Sequence, residues 1–102
     1  MYRQWIDKIL SGKKTWEIRS MACHKRERVA LAEIKAARLV GDVVITGCTE
    51  LSPKVFADHE LQHCITAEQR KQVIGTYKRI FAWHLVAPRS YASPVPFTLG
   101  QL

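Results

Sequence analysis

Gly12-Lys13-Lys14-Thr15-Trp16-Glu17-Ile18-Arg19-Ser20 leads a glycine turn into a strand, and the architecture follows from how that strand is filled. Trp16 and Ile18 alternate with Thr15, Glu17 and Arg19, the two-residue period of a half-buried strand. One face sinks Trp and Ile into a core. The other presents a hydroxyl, a carboxylate and a guanidinium, with Lys14 at the turn. A carboxylate between two cations orients them and leaves donors free for a phosphate or a carbonyl. The plainer alternative is an edge strand with a solvated charged face. Charge concentration favours the functional reading. Gly12 to Arg28 holds six Lys/Arg and two Glu, so this stretch carries +4 of the chain's +7.

Upstream, Trp5, Ile6, Ile9 and Leu10 form the apolar stripe of a helix over residues 3–11. Gly12 stands where a helix-stopping glycine belongs, and Lys13 and Lys14 suit the negative end of the helix dipole. Downstream, Ser20 to Arg28 is polar and basic and reads as a loop, and Val29 to Ala32 as a short buried strand. Glu33 to Arg38 is open between helix and turn. Leu39 to Leu51 is β-branched, with Gly41 and Gly47 marking bulges or sharp bends.

Ser52-Pro53 is a helix start, serine as cap and proline at the first turn. Val55, Phe56, His59 and His63 then fall near one face. Thr66-Ala67-Glu68-Gln69 fits a capping box and opens a second helix, with Val73, Ile74 and Tyr77 inward. Arg79 to Ala87 returns to strand character, with Phe81, Trp83 and Leu85 alternating against Ala82, His84 and Val86. Pro88, Pro94 and Pro96 keep the tail extended. The order is helix, strands, helical excursion, strand: an α+β fold compatible with a small, bent antiparallel barrel, as one domain over residues 1–102.

The chain is 47% hydrophobic and 25% charged, with a net charge of +7. Cys23, Cys48 and Cys64 are odd in number and widely spaced, which fits a reducing compartment rather than a disulfide framework. No apolar run approaches the roughly 18 residues that span a bilayer, and the N-terminal residues lack a signal-peptide pattern. The expectation is a cytoplasmic protein with a polyanionic partner and no membrane association.

Gly12-x-Lys14-x-x-Glu17-x-Arg19 after a short helix resembles the signature of the ASCH domain (ASC-1 homology), a relative of the PUA RNA-binding fold. The resemblance continues through Arg28-Val29-Ala30-Leu31-Ala32, Val40-Gly41-Asp42-Val43 and Phe81-Ala82-Trp83-His84-Leu85. It implies a PUA-like barrel with a helix beside a cleft, and places the signature on the cleft wall. ASCH domains commonly add a strand before the first helix and a closing strand at the end, so the resemblance implies a domain shortened at both ends. The open strand edges would then suit a homodimer.

The expected ligand set is Lys13, Lys14, Glu17, Arg19 and Ser20, with Trp83 or Trp5 as stacking aromatic and His84 nearby. RNA or a modified nucleoside or nucleotide is the expected partner. Arg19 suits a phosphate or base edge, Glu17 an exocyclic amine, and Lys14 supplies charge. Some small ASCH relatives are amidohydrolases acting on N4-acetylcytidine, with a lysine matching Lys14 and a threonine where this chain has Glu17. The alternative is therefore a nucleoside-directed amidohydrolase using Lys14, Glu17 and Thr15. Glu17 counts against it as the wrong nucleophile and as a partner that should hold the proton on Lys14. A ribonuclease built from Lys14, His84 and Tyr77 is a further alternative, and an inactive or protein-interaction remnant a third. His59 and His63, four apart on one expected helix, raise a zinc site, but three or four convergent ligands are needed. No metal and no cofactor are expected.

Overall fold

The computed structural model describes residues 1–97. The elements run α1 (Arg3–Leu10), β1 (Trp16–Arg19), β2 (Arg28–Glu33), β3 (Arg38–Leu51), α2 (Pro53–Asp58), α3 (Glu60–His63), α4 (Ala67–Thr76) and β4 (Ile80–Pro96). The four strands make one antiparallel sheet in the order β1-β4-β3-β2. This is the expected α+β arrangement. Among the described residues the ladder leaves β1 and β2 at its two ends rather than joining them. Met1 lies along the β2 end: its ammonium donates to the Ala32 carbonyl (2.8 Å), and Ile34 N–H donates back to the Met1 carbonyl (3.4 Å).

The long β3–β4 pairing holds the molecule together, from Leu51↔Ile80 to Arg38↔Pro96. Its register slips at three places, which bend the sheet. Gly41 and Gly47 stand at two of them, as their placement in a β-branched run predicts. At Gly41 an added Cβ would lie 2.4 Å from the Arg89 carbonyl, so only glycine lets the strands approach. Ala87 has φ +51, where β4 places two residues opposite one on β3. The proline-bearing tail is thus a strand: it continues β4 along β3 as far as Pro96.

Alternation along β4 divides the core between the two faces of the sheet. Leu85 packs with Ile6 and Ile9 of α1, Leu31, Val43 and Ile45, and Trp83 lies against that cluster. Ile80 and Ala82 pack with Ile18, Leu51, Phe56 and Ile65, against which Trp5, Trp16, Val73 and Tyr77 lean. Ser52 and Thr66 cap α2 and α4 as their sequences require, Thr66 with both halves of the capping box. The expected single helix through His59 and His63 does not form. The backbone at His59 leaves helical geometry, with φ −117 and ψ 35, and separates α2 from α3. Ile74, expected inward, is exposed, and so is Val55.

Candidate functional site

Lys14 is brought inward by the end of α1. Gly12 takes φ +82, its N–H donates to the Ile9 carbonyl (3.0 Å), and Lys14 N–H then donates to the Lys8 carbonyl (3.0 Å). This sharp reversal turns the Lys14 side chain inward, where it is 1% exposed. Its Nζ donates to the His63 carbonyl (2.5 Å) and sits 3.8 Å from Glu17 Oε1. It also lies 5.1 Å above the Trp5 ring, a favourable cation–π arrangement when desolvated.

His63 supplies that carbonyl from a fixed position. Its Nδ1 accepts from Ile65 N–H (2.8 Å), so the neutral ring carries its proton on Nε2, which donates to the Phe56 carbonyl (2.6 Å). Burial lowers its pKa and favours this neutral form. The αL residue Cys64, φ +60, ends α3 and returns the chain toward β1, where its thiol donates to the Lys13 carbonyl (3.4 Å).

Glu17 and Arg19 share a face of β1, as the strand period predicts. Arg19 Nε (3.0 Å) and Nη2 (2.8 Å) both donate to Glu17 Oε2. Oε1 is thereby left facing Lys14. Among the described residues, two of the guanidinium's five donors are used and the rest stay free. Lys14, Glu17 and Arg19 together line a cavity of about 310 Å³, whose other walls include Tyr2, Trp5 and Tyr77. Small-molecule sites begin near ~300 Å³.

The pKa of Lys14 is lowered, first by desolvation and only then opposed by Glu17. This corrects the expectation that the carboxylate would hold the lysine's proton more firmly: burial outweighs an ion pair at 3.8 Å.

The other expected site residues are dispersed. Lys13 and Thr15 are exposed and line neither the Lys14 cavity nor the two beside it. Thr15 is tied through its backbone, donating to the Gln62 carbonyl (2.9 Å) and accepting from Leu85 N–H (2.8 Å). Ser20 lines a neighbouring cavity of about 520 Å³, without Lys14. Trp83 lines that cavity and a third, of about 360 Å³. Its Nε1–H donates to the Met21 carbonyl (2.9 Å), and Arg19 lies 5.5 Å over its ring. His84 lies on the opposite face. Its Nε2 bonds Thr49 Oγ1 (2.8 Å), and its ring meets Trp16 edge-on. Among the described residues no carboxylate joins it, and burial, then Arg26, lowers its pKa. Tyr2 was not anticipated: nothing in a single residue ahead of a helix signals a cavity wall.

The histidine pair is structural. His59 Nδ1 bonds the Val55 carbonyl (2.7 Å) and its ring stacks on Trp16 at 4.9 Å. Among the described residues no three His, Cys, Asp or Glu side chains cluster in a way that could hold a metal.

Residues 1–95 match the family model of the ASCH domain. Among solved structures, the chain is similar to the crystal structure of ASCH from Zymomonas mobilis, with TM-score 0.81 and 15% identity over 99% of this chain and 71% of that one. A substituted variant of the same Zymomonas mobilis protein gives TM-score 0.82 and 15% identity over 99% and 73%. At that identity the likeness establishes the fold. No curated protein matches the chain.

Proposed function

We propose, from the premise that this chain belongs to the ASCH domain family, that it binds RNA or a nucleotide by seating one nucleobase against Lys14, Glu17 and Arg19. The observation that carries this reading is the convergence of those three side chains, with Tyr2, Trp5 and Tyr77, on one cavity of about 310 Å³. Aromatic rings offer stacking that every base accepts. Glu17 Oε1 suits an exocyclic amine, and the free donors of Arg19 suit a ring carbonyl. Cytosine and guanine carry both groups, so they are the preferred occupants. The net charge of +7 draws a polyanion to the cavity. Among the described residues no helix is long and apolar enough to cross a membrane. We place the protein in the cytoplasm with its RNA, acting as one unit over residues 1–102.

Fluorescence anisotropy with a labelled single-stranded RNA, repeated across salt concentrations, tests this. Affinity should fall with salt by a slope of about 0.7 per phosphate contacted. Arg19→Ala should weaken binding about tenfold or more without unfolding the protein, because Arg19 is exposed. Binding that ignores both salt and Arg19 would defeat the reading.

One observation favours a second reading. A buried lysine whose pKa is lowered sheds its proton more readily, as a base or nucleophile requires. On that reading Lys14 would deprotonate water attacking the amide of an acetylated cytidine. The exposed Thr15 lies outside the cavity, so Glu17 would have to orient the water. Release of acetate from N4-acetylcytidine, lost in Lys14→Met, would establish the enzyme.

A further inference from the structure

Arg19 lines all three of the cavities described above, Glu17 lines two and Trp83 lines two. The base cavity around Lys14 therefore adjoins a middle cavity of about 360 Å³ across Glu17 and Arg19. That one adjoins a third, of about 520 Å³, across Arg19 and Trp83. The far cavity ends at His24 and Lys25, both exposed, in the basic loop after β1. Its walls are held in place: Trp83 Nε1 grips the Met21 carbonyl at 2.9 Å. Arg26 Nη1 donates to the Cys23 (2.8 Å) and Lys25 (2.7 Å) carbonyls. Arg26 thus shapes the loop, while among the described residues Lys25 makes only a 4.0 Å contact with Glu27 and keeps its charge for a partner.

We propose that these cavities form one groove for a single-stranded oligonucleotide, with Arg19 at its pivot and the His24–Lys25 loop as its far phosphate-binding end. The inference rests on the base-binding reading above and extends it from one seated base to the path taken by the strand that carries it. A free nucleotide needs only the first cavity. A strand needs adjoining hollows, an aromatic between them and cations along the path. Those are met by Trp83 between the second and third cavities, Arg19 at the junction and Lys25 at the end. Met21, 71% exposed at the rim, offers a flexible apolar surface to a base in the far cavity. At one nucleotide per cavity, the site takes three.

Titrating the intact protein with cytidine monophosphate and with oligocytidylates of two to six nucleotides tests this. Affinity should rise about tenfold with each added nucleotide up to three, then level off. His24→Glu with Lys25→Glu, both at exposed positions, should leave the mononucleotide affinity unchanged and return the trinucleotide nearly to it. The salt slope for the trinucleotide should drop with it. A mononucleotide that binds as tightly as the trinucleotide overturns the groove and leaves the single-base reading standing. If neither binds, both readings fall. If the charge-reversed loop binds the trinucleotide like the parent, the far end is misplaced and the proposal fails.

Discussion

Replacing Lys14 by methionine separates the lysine's charge from its bulk. The side chain is 1% exposed, so methionine keeps most of the buried stem and deletes the ammonium. The His63 carbonyl then loses its donor at 2.5 Å, and an orphaned buried acceptor costs about 1–3 kcal/mol. The 3.8 Å attraction to Glu17 is lost as well, although Glu17 keeps both bonds from Arg19. Against these losses, the desolvation of a buried ammonium, several kcal/mol per ion, disappears. The opposing terms should leave stability within about 2 kcal/mol of the parent at neutral pH. The response to pH is the sharper discriminator. Burial holds the Lys14 pKa below its ordinary 10.5, so the folded protein releases that proton before the unfolded chain does. In that interval the unfolded state binds more protons, and stability rises with pH. The charged lysine therefore weighs against the fold at neutral pH, and the burden fades toward about pH 10.4. Tyr91, whose pKa is raised by burial and by its bond to Asp42, pulls the other way, but it is common to both proteins and cancels in their difference. Urea unfolding of parent and variant at several pH values should show the difference climbing in favour of the parent through the alkaline range. A difference that stays flat would refute a desolvated Lys14. A loss beyond about 4 kcal/mol at neutral pH would show instead that the ammonium is a net structural tie.

Asp42 accepts from Arg89 Nε and Nη2 (2.9 Å each), Arg28 Nη1 (2.7 Å) and Tyr91 Oη (3.2 Å). These bonds, Arg89's first, hold its carboxyl well below the usual range. Their stability is present above an ordinary aspartate pKa of about 3.9 and is lost as pH falls below it. Asp42→Asn should lower Tm at pH 7 and flatten the acid limb of Tm against pH. Trp83→Phe removes the bond to the Met21 carbonyl, worth about 1 kcal/mol, and should speed hydrogen exchange and tryptic cleavage at Lys25 and Arg26 while Tm moves little. Thr66→Ala deletes half of the capping box on α4 and should cost about 1 kcal/mol in a urea titration.

Local signals in the chain foretold what local physics decides. The glycine stop at Gly12, the caps at Ser52 and Thr66, and the bends at Gly41 and Gly47 each depend on a few neighbouring atoms. Glu17 and Arg19 share a face because a strand's period is fixed. Long-range packing decided the rest. Lys14 reads as a turn cation, and only the return of α3 toward β1 buries it against the His63 carbonyl, 49 residues away. Trp83 and His84 are neighbours in sequence, yet β4 sends one to the cavities and the other to Thr49 on the far face. The Asp42 cluster draws on Arg28, Arg89 and Tyr91, brought together by a bulged β3–β4 register that no short segment specifies.

The most direct measurement is a two-dimensional NMR titration of the isotope-labelled protein with cytidine monophosphate and, in parallel, with inorganic phosphate. Saturable shifts from the nucleotide should centre on the backbone amides of Lys14, Glu17 and Arg19 and on the indole N–H of Trp5. Phosphate alone should leave the Trp5 indole unmoved. Saturable shifts confined to residues away from that hollow, or identical responses to nucleotide and phosphate, would contradict the claim that a base is what the hollow receives.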